Sequence, residues 1–187
     1  MQHISKFPQV STTIFTTMGA LAKKHNAINL SQGFPDFEMD KKLIDLVAKA
    51  MKTGYNQYAP MQGRLDLREA IANKFDRLYN TSYHPENEIT ITAGASQAIY
   101  DIIATFIRPN DEVIIFSPAF DCYEPAIELH RGKVIPIELK PPSFDVDWND
   151  VKTKINSRTK MIIINSPQNP VGTIFSKNDM LQLQALI

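Results

Sequence analysis

Cysteine is nearly missing from this sequence: Cys122 is the only one in 187 residues. That excludes an internal disulfide framework and a cysteine-ligated zinc site, and it fits a reducing compartment. Net charge is missing too. Twenty Lys and Arg balance twenty Asp and Glu, and the lysines are dispersed. No basic field is therefore present to gather nucleic acid or an anionic membrane. No apolar run approaches the roughly 18 residues that a bilayer span needs. Met1 to Pro8 is polar with no apolar stretch behind it, so no signal peptide is expected. The histidines at positions 3, 25, 84 and 130 show no metal-ligand spacing and are expected at the surface. The acidic side chains form no argued catalytic pair. What is left is an ordinary globular composition, 43% hydrophobic and 21% charged, expected in the cytoplasm and long enough to bury a sizeable core.

The periodicity changes along the chain. Up to Phe37 it is weak, with one helix predicted over 13–24 from the spacing of Ile14, Met18, Leu21 and Ala22. A turn-rich stretch, Asn29 to Phe37, follows. Helices are predicted over 40–53, capped by Asp40, and over 65–79. From Glu88 onward short apolar segments alternate with helical ones. Strands are predicted at 89–93, 112–116, 133–138 and 161–165. Helices are predicted at 96–107, with Ala98, Ile99, Ile102, Ile103 and Phe106 inside, then at 121–130, at 148–155 and from Ser176 to the last residue, Ile187. Short, doubly apolar strands alternating with helices indicate an α/β fold with a mostly parallel sheet covered on both faces.

In such a sheet, ligands bind beyond the carboxyl ends of the strands, and three loops lie there. Ala93-Gly94-Ala95-Ser96-Gln97 either cradles a phosphate at a helix N-terminus or makes a tight turn capped by Ser96. Ser117 to Tyr123 places two aromatics past a strand; Phe120 and Tyr123 either face a flat ligand or pack in the core. Cys122 reads as an inert buried thiol, since no histidine-based constellation surrounds it, and Asp121 reads as a helix cap. Asn165-Ser166-Pro167-Gln168-Asn169-Pro170-Val171-Gly172 sets three amides among prolines that stiffen the backbone. Buried amides need partners, which favours a ligand loop with Asn169 as donor over a plain proline-rich turn.

Five ordered blocks carry a family resemblance: NLSQGFPDF (29–37), NQYAP (56–60) with Gly63 and LREAI (67–71), TAGASQ (92–97), SPAFDCYEP (117–125) and NSPQNPVG (165–172). Together they cover nearly the whole chain. It resembles the N-terminal half of the fold-type I pyridoxal-phosphate aminotransferases, in the branch of the methionine and kynurenine/glutamine aminotransferases. The resemblance implies the three-layer α/β/α large domain of aspartate aminotransferase-like proteins, incomplete here. Residues 1–40 would be an N-terminal arm and small-domain segment, and 41–187 the first part of the large domain.

Residue by residue, the resemblance implies pyridoxal 5'-phosphate held by Gly94, Ala95 and Ser96 at its phosphate, by Phe120 at its ring and by Asn169 at its phenolic oxygen. Tyr58 would reach the phosphate of a second subunit, in a homodimer with shared active sites. Gly33 and Phe34 would face the substrate, and Tyr123 would line the site. Asn165 would support its loop. Gln168 departs from the histidine common at that position. The family's Schiff-base lysine, its partner aspartate and its substrate arginine follow the octet, and no motif for them occurs in this chain. Lys177 does not match. The implied activity is ping-pong transamination between an amino acid, methionine or another large apolar or aromatic one, and a 2-oxo acid through a pyridoxal phosphate Schiff base. It would require a C-terminal half, so residues 1–187 alone are expected to be inactive. Two alternatives share these blocks: a cysteine-conjugate β-lyase, and a non-catalytic fragment that retains only the fold.

Overall fold

The structure, a computed structural model, describes residues 5–6, 12–33 and 35–187. It divides into two compact units, Met1–Pro60 and Met61–Ile187. No helix among the described residues is long and apolar enough to cross a membrane.

The first unit holds two amphipathic helices. Helix α1 (Ile14–Lys24) starts at Thr13, whose side chain accepts from Thr16 N. Helix α2 (Lys41–Lys52) starts at Asp40, which accepts from Lys42 N at 2.8 Å, and Lys49 and Lys52 sit at its negative dipole end. Neither helix has a buried residue.

The second unit opens with α3 (Leu65–Tyr79), which ends in the left-handed residue Asn80. Arg68 on this helix is buried and donates to the carbonyls of Gly63, Pro85 and Glu86. It thereby pins the loops on either side of the helix. The body of the unit is α4 (Ala95–Phe106), β1 (Glu112–Ser117), α5 (Tyr123–Leu129), β2 (Lys133–Glu138), α6 (Trp148–Lys154), β3 (Thr159–Ile163) and α7 (Lys177–Leu186). The sheet is parallel with order β2-β1-β3.

β1 is central and covered on both faces, which is why its sequence is continuously apolar rather than alternating. Val113 and Ile115 pack with Ile103 and Ile107 and with Tyr123, Ala126 and Ile127 of α5. Ile114 and Phe116 pack with Ile137, Trp148, Val151 and Leu183 on the other side. Helices α4 and α5 thus cover one face, and α6 and α7 the other. The four apolar residues Val113 to Phe116 are all buried to within 3% of complete. At about 1.5–3 kcal/mol for each buried side chain, this strand outweighs any single loop hydrogen bond and fixes where the flanking loops begin.

The expected α/β architecture is present, with four local differences. Residues 89–93 form no strand: Ile91 N donates to Gln62 O, and no strand among the described residues pairs with them. β3 begins and ends two residues early. Its entry is drawn in by Glu112, which is buried, is held by Arg158 at 2.6 Å and Asn156 at 2.7 Å, and donates its backbone N–H to Arg158 O. Helix α5 starts at Tyr123, with Cys122 at the cap position and no side-chain cap bond, so Asp121 is not a cap. Helix α4 buries Ile103, while Ile102 is 50% and Phe106 54% exposed. The helix has more apolar surface than the sheet face covers.

Candidate cofactor site at the carboxyl edge of the sheet

The site is assembled from three loops. The first leads into α4. Gly94 is the cap residue, with φ of 91° and no side-chain cap bond. The expected alternative of Ser96 as the cap is therefore not what the structure shows: Ser96 sits one residue inside the helix. The loop is braced by Gln97, whose Oε1 accepts from Ala93 N at 2.6 Å, and by Thr92, whose hydroxyl donates to Gly94 O. Gly94, Ala95 and Ser96 are exposed. They present the positive end of a twelve-residue helix that has no side-chain cap bond.

The second loop leaves β1. Phe120 is half-buried and meets Tyr123 edge-on, with ring centroids 5.8 Å apart. Tyr123 is 8% exposed and belongs to the core cluster under α4 and α5. Burial raises its phenol pKa, with a smaller contribution from Cys122. The Cys122 thiol is likewise pushed up, first by burial and then by the negative charge of Asp121. It stays protonated at neutral pH, as an inert thiol would. Ser96 lies close enough to act weakly in the opposite direction on this thiol, so the α4 loop and the aromatic loop are neighbours.

The third loop is the octet after β3. Asn165 Oδ1 accepts from Asn169 N at 2.8 Å, and Ser166 Oγ accepts from Phe175 N. Backbone bonds from Gln168 N to Thr173 O and from Gly172 N to Gln168 O, both 2.7 Å, close the turn. The Ser166-Pro167 and Asn169-Pro170 peptides are cis. The side chain of Gln168 is 5% exposed and donates to the carbonyls of Phe116 and Pro118. Asn169 is exposed beside it.

Gly94, Ala95, Ser96, Phe120, Tyr123 and Asn169 therefore all lie in the second unit, around the carboxyl ends of β1 and β3. Tyr58 and Gly33 lie in the first unit, both exposed. Phe34 lies outside the described residues. Of the histidines expected at the surface, His25 and His84 are exposed, His3 lies outside the described residues, and His130 is half-buried with Nδ1 2.9 Å from Ala126 O. Three buried polar residues among those described carried no assigned role in the sequence: Arg68, Glu112 and Gln168, the last of which read only as a departure from histidine. The available signal for Gln168 was an amide between prolines at a strand end, where buried polar groups must be paired.

The three loops present chemically distinct faces: backbone N–H groups and a hydroxyl, an aromatic ring, and an exposed carboxamide. A phosphorylated aromatic ring with a phenolic oxygen suits that set. Residues 25–187 match the family described as Aminotransferase class I and II. The chain belongs to this family. Class I aminotransferases are dependent on pyridoxal phosphate. The chain is 48% identical over 179 residues to the methionine aminotransferase of Escherichia coli strain K12, covering 96% of this chain and 46% of that protein. It is 34% identical over 168 residues to a probable kynurenine–oxoglutarate transaminase of Saccharomyces cerevisiae, covering 83% of this chain and 38% of that one. An Escherichia coli crystal structure associated with a methionine aminotransferase function superposes with a TM-score of 0.96 at 46% identity, over 100% of this chain and 49% of that one. A Thermus thermophilus aspartate aminotransferase does so at 0.87 and 31%, over 100% and 50%. The chain spans about half the length of the curated relatives it matches. Its aminotransferase fold is that of the aspartate aminotransferase-like large domain.

Proposed function

We propose that this chain supplies the phosphate cradle, ring shelf and phenolic-oxygen donor of a pyridoxal-phosphate aminotransferase. In the whole protein it would act on methionine or another large apolar or aromatic amino acid with a 2-oxo acid as acceptor. The observation that carries the reading is that the α4 N-terminus, the loop after β1 with Phe120 and the loop after β3 with Asn169 belong to one parallel α/β unit, in a chain 48% identical to a methionine aminotransferase. Bound pyridoxal phosphate supplies the carbonyl and electron sink of the reaction.

In this reading Gly94 admits the phosphate close to the backbone, and the first-turn N–H groups with the Ser96 hydroxyl neutralise it. Phe120 packs on the ring. Asn169 donates a carboxamide N–H to the phenolic oxygen and so favours its ionised form. Tyr123, whose phenol pKa burial raises further above the ordinary tyrosine value, lines the site as a neutral group. Gly33 and Phe34 are assigned to the substrate, and Tyr58 to the phosphate of the second subunit of a homodimer. We assign residues 1–40 to the arm and small domain, and 41–187 to the large domain. No lysine of residues 1–187 is assigned the covalent role. The single cysteine favours the cytoplasm as the working compartment.

The test is a transamination assay on the full-length protein with methionine, kynurenine, glutamine and cystathionine. Oxo-acid formation from methionine, dependent on an added 2-oxo acid acceptor, is expected. Turnover only by β-elimination, with no acceptor dependence, would sink the reading.

A further inference from the structure

The buried carboxamide of Gln168 continues the sheet where its backbone stops. β1 pairs with β2 as far as Ser117↔Glu138, but with β3 only as far as Ile115↔Ile163. Successive residues of a strand direct their backbone groups to opposite neighbours. Glu112 N donates toward the β3 side, to Arg158 O, while Ser117 O accepts from Leu139 N on the β2 side. By that alternation Phe116 O points to the β3 side, one residue beyond the last β1–β3 pair. A carbonyl in this position, on a residue 3% exposed, requires a donor. Gln168 Nε2 supplies it at 3.2 Å. The same nitrogen donates to Pro118 O in the aromatic loop, and Oε1 accepts from Val171 N at 3.1 Å within the octet. One side chain thus has both its donor and acceptor ends committed, to two different loops.

We infer that Gln168 is a positioning residue that sets the spacing between the loop carrying Phe120 and the loop carrying Asn169. The inference rests on the cofactor reading above. Asn169 is the next residue in the chain, so a displaced octet moves its carboxamide relative to anything packed on Phe120. A proline-rich turn needs only its backbone bonds, and these close without Gln168's side chain. The side-chain bonds add a tie between loops, which a connector does not require.

The experiment compares wild type with Gln168→Met, which keeps the length and removes the donors, in the full-length holoenzyme. Three quantities are measured: the dissociation constant for pyridoxal phosphate, the pH midpoint of the bound cofactor's visible absorbance, and the thermal midpoint of the cofactor-free protein. Gln168→Met is expected to weaken cofactor binding about tenfold and to shift the pH midpoint. Gln168→His, which can offer one ring N–H at a time, is expected to recover part of both. If Gln168→Met does not fold, Gln168→Asn, too short to reach both carbonyls, is read in its place with the same expectation. A folded variant with a lowered thermal midpoint but a dissociation constant within about twofold of wild type and an unmoved pH midpoint overturns the proposal. If wild type itself binds no pyridoxal phosphate, the cofactor reading fails instead. The tie between loops is then read by hydrogen exchange. Faster exchange in both 119–123 and 168–173 supports it, and a change confined to one loop overturns it.

Discussion

Gly63 and Gly94 share a positive φ, 93° and 91°, but not an environment. A Cβ at Gly94 meets nothing within 4 Å, whereas one at Gly63 runs into the side chain of Ile91. Gly94→Ala is therefore expected to cost only backbone strain, about 1–3 kcal/mol for its positive φ with ψ of 169°. Gly63→Ala adds overpacking against Ile91, for about 2–6 kcal/mol in total. Denaturant unfolding of the two variants checks the order, and equal losses would contradict it. The assigned donor is a residue-scale matter as well. Asn169 is exposed, so Asn169→Ala is expected to change the thermal midpoint little. It should instead move the pH titration of the bound cofactor toward higher pH, because the ionised phenolic oxygen loses a donor. An unchanged titration in a variant that still binds the cofactor would remove Asn169 from its assigned role. The candidate loops themselves were legible because glycine, proline and amide side chains mark them directly. The partners of Gln168 were not: they are main-chain carbonyls about fifty residues away, and no local pattern encodes them.

Among the elements, α7 has the clearest anchor. Ser176 and Asp179 form a reciprocal capping box, and Asp179 Oδ1 also accepts from Trp148 Nε1 of α6 at 2.8 Å. Burial alone would raise the Asp179 pKa, but the hydrogen bonds from Ser176 and Trp148 prevail and hold it below the ordinary carboxylate value. A depressed native pKa means the unfolded chain binds the proton more readily. The stabilisation is present above the ordinary aspartate value of about 4 and is lost as pH falls below it toward the native pKa. Asp179→Asn is expected to destabilise the protein at pH 7 and to flatten the acid limb of its stability curve, followed by tryptophan fluorescence; a limb as steep as wild type would contradict this. The capping serine was readable from sequence. So were α2, α3 and β2, where period and punctuation agree. The segment 89–93 misled because β-branched residues favour a strand only when a neighbour completes the ladder. Helix α4 misled in the opposite way, since two apolar faces cannot both meet one sheet. The early start of β3 depends on a distant ion pair, Arg158–Glu112, which periodicity does not reveal.

At the scale of the whole molecule, the proposed function divides chemistry from scaffold along the sequence. Residues 1–187 are assigned cofactor contacts but no covalent partner. Borohydride treatment of this polypeptide with pyridoxal phosphate is accordingly expected to leave no single lysine preferentially labelled; mass spectrometry that finds one dominant labelled lysine would overturn the assignment. Tyr58, wholly exposed, is assigned to a neighbouring subunit. Heterodimers of full-length Tyr58→Phe and Asn169→Ala subunits should therefore regain one intact site, while either homodimer has none. Activity of the mixture no higher than that of the parents would argue against a shared site. The single thiol of the chain also takes on a use. Cys122 neighbours Ser96, between the loops assigned to phosphate and ring, and burial pushes its thiol pKa up. Its alkylation is expected to be slow and can serve as a native clock for the site. A bound phosphate drawing on the Ser96 hydroxyl would change its rate, and occupancy becomes measurable without a label or a turnover assay.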